Sequence, residues 1–279
     1  MTVHQKGDVW VVSPGVNSSS PEYPTDSASV AIALEKLSGM KKGELASKNP
    51  EKQSIFEVDT VKGMSVEVFN AAGKSLGTIL IGKNTPDWNS NYVRQDKSND
   101  VYTAAGGIGY SFFTDITRWR DKLIMSFDKS LAKNITLIRK DGTSIALAKA
   151  DSGNTWNIIT PEQCAAKSDQ ADGIISKLAL FNAVGFQDTV LADSVFGLTK
   201  PELVVSIGLK NGAKKITFGA KRADGKNYAM VDGRETIYLV NDYDVNALNK
   251  ELKDLKDIPP SAPAPLVNPG KKTGTKQKK

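Results

Sequence analysis

Histidine and cysteine are almost missing from this chain: His4 and Cys164 stand alone in 279 residues. A single histidine beside a terminus reads as an exposed strand residue, and Ser-His-Asp, Cys-His and multi-histidine metal chemistry are set aside with it. One cysteine permits no internal disulfide and no cysteine-rich zinc site, and it reads as a buried structural thiol. No run approaches the roughly 18 apolar residues of a membrane span, and the opening MTVHQKGDVW has no hydrophobic signal core. Charge of one sign is scarce in the body. The formal net charge is +6, yet residues 259–279 hold five lysines and no acid, which leaves about +1 for the rest. Phosphate backbones need a basic stripe that such a body lacks, so nucleic acid is not an expected partner.

What is present is globular: hydrophobic residues at 39% and charged ones at 24% allow one large domain or two ordinary ones. Short alternating runs separated by glycine turns dominate. Thr2 to Lys6 and Val9 to Ser13 form a hairpin about Gly7-Asp8. Thr25 or Asp26 caps a helix through about Ser38, with Val30, Ala33, Leu34 and Leu37 on its buried face and Gly39 at its end. Strands follow at Ser65 to Asn70, Leu76 to Ile81, Asn91 to Gln95 and Asp100 to Thr103. Ala104 to Gly109, AAGGIG, reads as a hinge, and a helix is expected after it with Phe112, Ile116, Trp119 and Leu123 on one side. Strands at Asn134 to Arg139, Ser144 to Lys149 and Thr155 to Ile159 come next, then a helix from Ser168 or Asp169 through Asn182. Phe196 to Val240 reads as four strands, and a last helix runs from Asp242 or Asp244 to about Leu255.

The stretch Phe196 to Val240 has a degraded echo at Phe56 to Thr103. Landmarks pair as Trp10 with Trp156, Phe56 with Phe196, Gly82 with Gly219, Asn91-Tyr92 with Asn227-Tyr228, and Tyr102 with Tyr238. The expected fold class is therefore α+β: two pseudo-symmetric repeats, each a curved, mainly antiparallel sheet with one or two packed helices. Residues 1–108 form the first repeat, and 109–258 the connecting helix and second repeat. A Pro/Lys-rich disordered tail occupies 259–279.

Taken in order, TRWRDKLIMSFDKSLAKNITLIRKDG, NTWNI, FGLTKPELVVSIGLKNG, ITFG, NYAMVDG and TIYLV make the chain resemble the bacterial domain-of-unknown-function family 4340, often found in two copies. The resemblance implies an extracytoplasmic (periplasmic) protein tethered by one N-terminal membrane helix and encoded beside gliding-type ABC transporter subunits. The family's biochemical activity is not established, so the resemblance carries over no catalytic residues. This chain departs from that pattern in lacking the helix. Its first copy also begins at the equivalent of Ser144 to Lys149, without a counterpart of Asn134 to Arg139, and the expectation is a trimmed longer protein.

Candidate chemistry is thin. Asp242-x-Asp244-x-Asn246 opens like a calcium loop, but Ala247 and Lys253 occupy the glycine and glutamate positions, so helix capping is expected. Gly107-Ile108-Gly109 lacks the third glycine of a dinucleotide loop, Phe112 standing there instead. Asp232 and Glu235 lie in a turn that favours polar residues anyway. No metal or cofactor is expected. The possible ligand or partner surface is Trp88, Tyr92, Tyr110, Trp119 and Tyr228, with any site nearest the seam between copies around Ala104 to Trp119. The expected function is a non-enzymatic accessory or scaffold module of a membrane, ABC-type transporter-associated complex. The alternatives are a cell-wall glycan- or peptide-binding module using the cleft between repeats and, less favoured, a carboxylate-based hydrolase.

Overall fold

The computed structural model describes residues 1–15, 20–151, 155–189 and 191–257; the expected disordered tail at 259–279 lies outside them. The protein is α+β, mostly antiparallel sheet with few helices. It divides into two compact units, Met1–Leu123 with Asn182–Phe186, and Ile124–Phe181 with Gln187 onward.

The first unit opens with β1 (Thr2–Lys6), β2 (Val9–Ser13) and β3 (Tyr23–Pro24), an antiparallel meander. Gly7 sits at φ 60 in the β1–β2 turn, a left-handed conformation that glycine adopts without a Cβ penalty. The helix α1 (Ser27–Gly39) follows, its N-cap Asp26 accepting from the Ala28 amide at 3.1 Å. After β4 (Leu45–Ser47) come β5 (Met64–Phe69), β6 (Ser75–Asn84), β7 (Ser90–Gln95) and β8 (Val101–Ala105). They form a five-stranded sheet in the order β4-β8-β7-β6-β5.

The expected helix over Phe112 to Leu123 is not there. Two single 3-10 turns, Ile108–Ser111 and Ile116–Arg118, give way to the strand β9 (Leu123–Ser126). Asp115 caps the second turn by accepting from the Thr117 amide, and the chain is then drawn into pairing: Arg120 bridges Thr25, and the Asp121 amide donates to the Pro24 carbonyl at 2.9 Å. Those partners lie about 95 residues upstream, beyond the reach of a local periodicity. The spacing still reported a shared face, since Phe112, Ile116 and Trp119 all pack with Val12, Val30 and Ala33. Ala104–Gly109 also lies inside the first unit, with Ala104 and Ile108 buried in its core, so Gly106 and Gly107 turn the chain rather than separate two bodies.

In the second unit β10 (Ala132–Arg139), β11 (Ser144–Lys149), β12 (Trp156–Thr160) and β13 (Cys164–Ala165) lead to α2 (Ser168–Leu178). The helix stops at Leu178 instead of Asn182, because the next residues become the short strand β14 (Leu180–Asn182); β15 (Gly185–Gln187) follows, with Gly185 and Phe186 counted in the first unit. Then come β16 (Leu203–Leu209), β17 (Gly212–Lys221), β18 (Lys226–Val231), β19 (Ile237–Asn241), α3 (Asp242–Leu248) and α4 (Leu252–Leu255). Eight of these strands are neighbours in the order β13-β12-β11-β10-β16-β17-β18-β19. Alternation decides the faces: Ile145 and Leu147 on β11, Leu203, Val205 and Ile207 on β16, and Ala229 and Val231 on β18 are buried. On α2 the residues Ala171, Ile174, Ile175 and Leu178 complete the core at helical spacing.

Candidate functional site

The first unit does not close its core as the second does. Met64, Val66 and Val68 alternate along β5 but remain half-buried, whereas Leu203, Val205 and Ile207 on β16 have no exposed surface. Of the four α1 residues expected to bury, Val30 and Ala33 do, while Leu34 is 44% exposed and Leu37 half-buried. The result is a groove of about 600 Å³ whose walls include Leu34 and Leu37 from α1, Val68 from β5, Ile79 from β6 and Val93 from β7. Uncovered apolar surface of this kind is common where ligands or partner segments bind.

The polar rim of the groove is mainly cationic. Lys41 and Lys42 follow the helix, and the Lys42 ammonium lies 4.8 Å from the centre of the Tyr102 ring. The Tyr102 hydroxyl donates to Asp100 at 3.2 Å, and that bond raises the phenol above its ordinary pKa. At the floor Arg94 is 5% exposed, with Nε donating to the Val58 carbonyl and a terminal nitrogen to the Ser98 carbonyl, each at 2.9 Å. Such bonds hold a buried guanidinium in place without neutralising it.

A second recess in this unit, about 610 Å³, is lined by Ile55, Phe56, Lys83, Asn84, Thr85, Trp88 and Tyr92 among others. The turn between β6 and β7 builds it. Asp87 accepts from the Thr85 hydroxyl and from the amide and side chain of Asn89, and these bonds hold its carboxyl below the usual carboxylate range. Trp88 stands at the tip with 70% of its surface exposed and φ 61, a conformation uncommon for a bulky residue. The β17–β18 hairpin turns instead through Gly225 at φ 76. Asn84 donates to the Tyr110 hydroxyl at 2.8 Å and accepts from Asn91 at 2.9 Å, so the recess is braced by an amide network.

Of the five surface residues picked from sequence, Trp88 and Tyr92 share this recess and Tyr110 is bonded to its wall. Tyr92 packs on Phe56 with ring centres 4.6 Å apart. Tyr228 belongs to the other unit, half-buried against Phe196 at 4.9 Å. Trp119 is a core residue, 5% exposed, with its indole nitrogen donating to the Phe113 carbonyl at 3.0 Å. Sequence reasoning assigned Leu34 and Leu37 to the core and so missed the groove, because a local apolar stripe does not say which of its residues a partner element covers.

Asp242, Asp244 and Asp232 pair with lysines, and the expected helix capping by Asp242 or Asp244 is not seen, since Asn241 holds the N-cap position of α3 without a side-chain capping bond. Asp242 accepts from Lys221 and Asp244 from Lys177, each at 2.6 Å, inside the first turn of α3. Asp232 pairs with Lys215 at 3.4 Å. Among the described residues no group of three or more His, Cys, Asp or Glu is placed to hold a metal. His4 lies 3.2 Å from Glu22, and Cys164 is half-buried in β13.

A family model described as "Domain of unknown function (DUF4340)" matches residues 16–194 and 190–258. No curated protein and no solved structure matches the chain.

Proposed function

We propose that this chain, which belongs to the DUF4340 family, is a non-enzymatic accessory module of a membrane complex, made of two pseudo-symmetric α+β copies. A set of recurring contacts supports the two copies. Gly82 on β6 and Gly219 on β17 each lie at a bulge and against one carbonyl, where an added Cβ would fall 2.2 Å from the Phe56 oxygen and 2.1 Å from the Phe196 oxygen. The same carbonyls accept from Lys83 and Ala220. Asn91 and Asn227 then donate to the Gly82 and Gly219 carbonyls at 3.2 and 3.3 Å.

The docking role is carried by the open groove of the first unit. In this reading the module works on the extracytoplasmic side, tethered through an N-terminal membrane helix, and the groove takes an apolar segment of an ABC-type transporter subunit. An acidic residue in that segment would meet Lys41 and Lys42. A photo-cross-linking residue at Leu34, activated in native membranes, tests this. Adducts with transporter subunits that disappear in a Leu37→Asp variant of unchanged thermal stability are expected; adducts with none of those subunits refute the proposal.

Trp88 favours a second reading, a glycan- or peptide-binding module, because a tryptophan held rigidly into solvent beside an amide network suits stacking on a sugar or a side chain. Titration of cell-wall oligosaccharide and stem-peptide fragments against the chain and Trp88→Ala decides it. Saturable binding lost in the variant supports this reading, and equal or absent binding removes it.

A further inference from the structure

The turns that join β6 to β7 and β17 to β18 are built from the same bonds. The Thr85 amide donates to the Ser90 carbonyl at 2.8 Å and the Trp88 amide to the Thr85 carbonyl at 2.9 Å; in the second unit Arg222 donates to Lys226 at 2.7 Å and Gly225 to Arg222 at 3.2 Å. Trp88 therefore stands where the second unit has glycine, with φ 61 against 76. That left-handed conformation is free for glycine and disfavoured for a bulky L-residue, and an indole held there with 70% of its surface exposed adds little to a core. The aromatic pair behind each turn differs as well. Tyr228, packed on Phe196, has the Arg222 guanidinium 5.5 Å from its ring, and that guanidinium is bonded to Gln187 and Asp224. In the first unit Thr85 takes the place of Arg222 and is turned to Asp87, so Tyr92 and Phe56 remain as a wall of the open recess.

What the recess has left to offer a ligand is donors. Asp87 accepts from the Thr85 hydroxyl and from the amide and side chain of Asn89, and the Asn84 side-chain oxygen accepts from Asn91, so the carboxylate and amide acceptors are engaged. The Trp88 indole N–H, the Tyr92 hydroxyl and the Lys83 ammonium, each able to donate, have no hydrogen-bond partner among the described residues. Every hydroxyl of a saccharide brings a proton that needs an acceptor, and so does every amide of an ordinary peptide. A proline-rich segment brings few. Its rings replace the amide donors, its carbonyls stay outward as acceptors, and its pyrrolidine faces stack on aromatic side chains.

The chain itself carries such a segment: residues 259–269, PPSAPAPLVNP, hold five prolines and no charge. We infer that the Trp88 recess binds this proline-rich segment of a second copy of the chain, with a pyrrolidine ring on the indole face and segment carbonyls accepting from Trp88, Tyr92 and Lys83. A second copy supplies it more readily than the same chain does. Only Ile258 separates Pro259 from Asp257, whose amide is fixed to the Ala165 carbonyl at 3.0 Å, so within one chain that anchor sets the reach, whereas another copy approaches freely. Each copy then presents both a recess and a segment, a heterologous arrangement that links copies in series or closes them into a ring. The inference rests on the reading of the Trp88 recess as a glycan or peptide site, which it narrows to peptide, and not on what fills the groove.

Two measurements on the full chain test this. In the first, fluorescence anisotropy follows the labelled peptide PPSAPAPLVNP as dilute full chain is added. Saturable binding is expected, weakened at least about tenfold by Trp88→Gly, which the turn accepts as it accepts Gly225, and as much by Pro263→Ala with Pro265→Ala in the peptide, which removes rings and restores amide donors. The second is the Trp88 indole N–H resonance, assigned with Trp88→Phe. It should move toward its peptide-bound position as the chain is concentrated, and should stay in place when Pro263 and Pro265 of the chain are both alanine. A peptide that does not bind, or that binds Trp88→Gly equally, overturns the inference, and so does equal binding by the alanine peptide. A resonance at the bound position at every concentration overturns it too, because the segment would then come from the same chain. If the proline peptide fails while cell-wall oligosaccharide or stem-peptide binding is lost in Trp88→Ala, the ligand assignment alone falls; failure of all three ligands removes the reading of the recess with it.

Discussion

Replacing Gly219 by alanine adds one methyl group, and the structure gives it no room. The new Cβ falls 2.1 Å from the Phe196 carbonyl oxygen, 3.3 Å from the Phe196 carbonyl carbon and 3.2 Å from Leu198 Cδ2. Ordinary contact begins near 3.4 Å, so the carbonyl must retreat by about 1 Å. That carbonyl accepts from the Ala220 amide at 2.8 Å, and its residue is a buried phenylalanine packed on Tyr228. Losing the hydrogen bond costs about 1 kcal/mol and the forced repacking about 1–3 kcal/mol, which gives about 2–4 kcal/mol in all. Gly82→Ala meets the Phe56 oxygen at 2.2 Å and Val58 Cγ1 at 2.8 Å and should lose a similar amount in its own unit. Urea titration read by exchange protection of β17 and β18 amides, and separately of β6 and β7, measures each unit by itself. A loss below about 0.5 kcal/mol at either position would mean that the strand and the preceding loop separate freely, and the close-approach argument would fail.

Gly173 in α2 is exposed, has no atom within 4 Å of an added Cβ and no positive φ, so Gly173→Ala should stabilise the chain by about 0.5–1 kcal/mol, seen as a higher urea midpoint. Trp88→Gly relieves a left-handed backbone while burying little less surface, so a gain of about 1 kcal/mol is expected in the same assay, at the expense of any ligand that stacks on the indole. Backbone amides of Lys62 and Val61 hold Asp59 below the ordinary aspartate range, as those of Ser130 and Thr143 hold Asp128 and Asp141. Depressed carboxyls contribute stability that is complete above their unfolded pKa and is lost as the pH falls through the folded one. The urea midpoint should therefore drop on going from pH 6 to pH 3, and Asp141→Asn should flatten that drop; a midpoint that rises with acid would contradict the sign.

Much of the fold was legible because it is local. Period-two alternation and glycine turns located β1 and β2 about Gly7, β10 and β11 about Gly142, and β17 and β18, and Asp26 marked the start of α1. The Gly82 and Gly219 landmarks were visible too, since a glycine inside a strand signals a bulge or a close approach. Of the aromatic set, Trp88, Tyr92 and Tyr110 could be picked out by type, but their gathering about Asn84 could not, because Thr85, Asp87 and the asparagines acquire roles only once β6 and β7 pair.

By itself, then, the sequence determined the antiparallel strands, the turns, the start of α1 and the scarcity of histidine and cysteine, which depend on composition or on neighbours a few residues away. The tertiary structure decided what lies next to what. It drew Phe112–Leu123 out of a helix through the bonds of Arg120 and Asp121 to Thr25 and Pro24, ended α2 early for β14, sank Trp119 into the core, and left Leu34, Leu37 and the β5 stripe uncovered. An amphipathic pattern fixes which face of an element is apolar; whether that face is covered depends on partners distant in the chain.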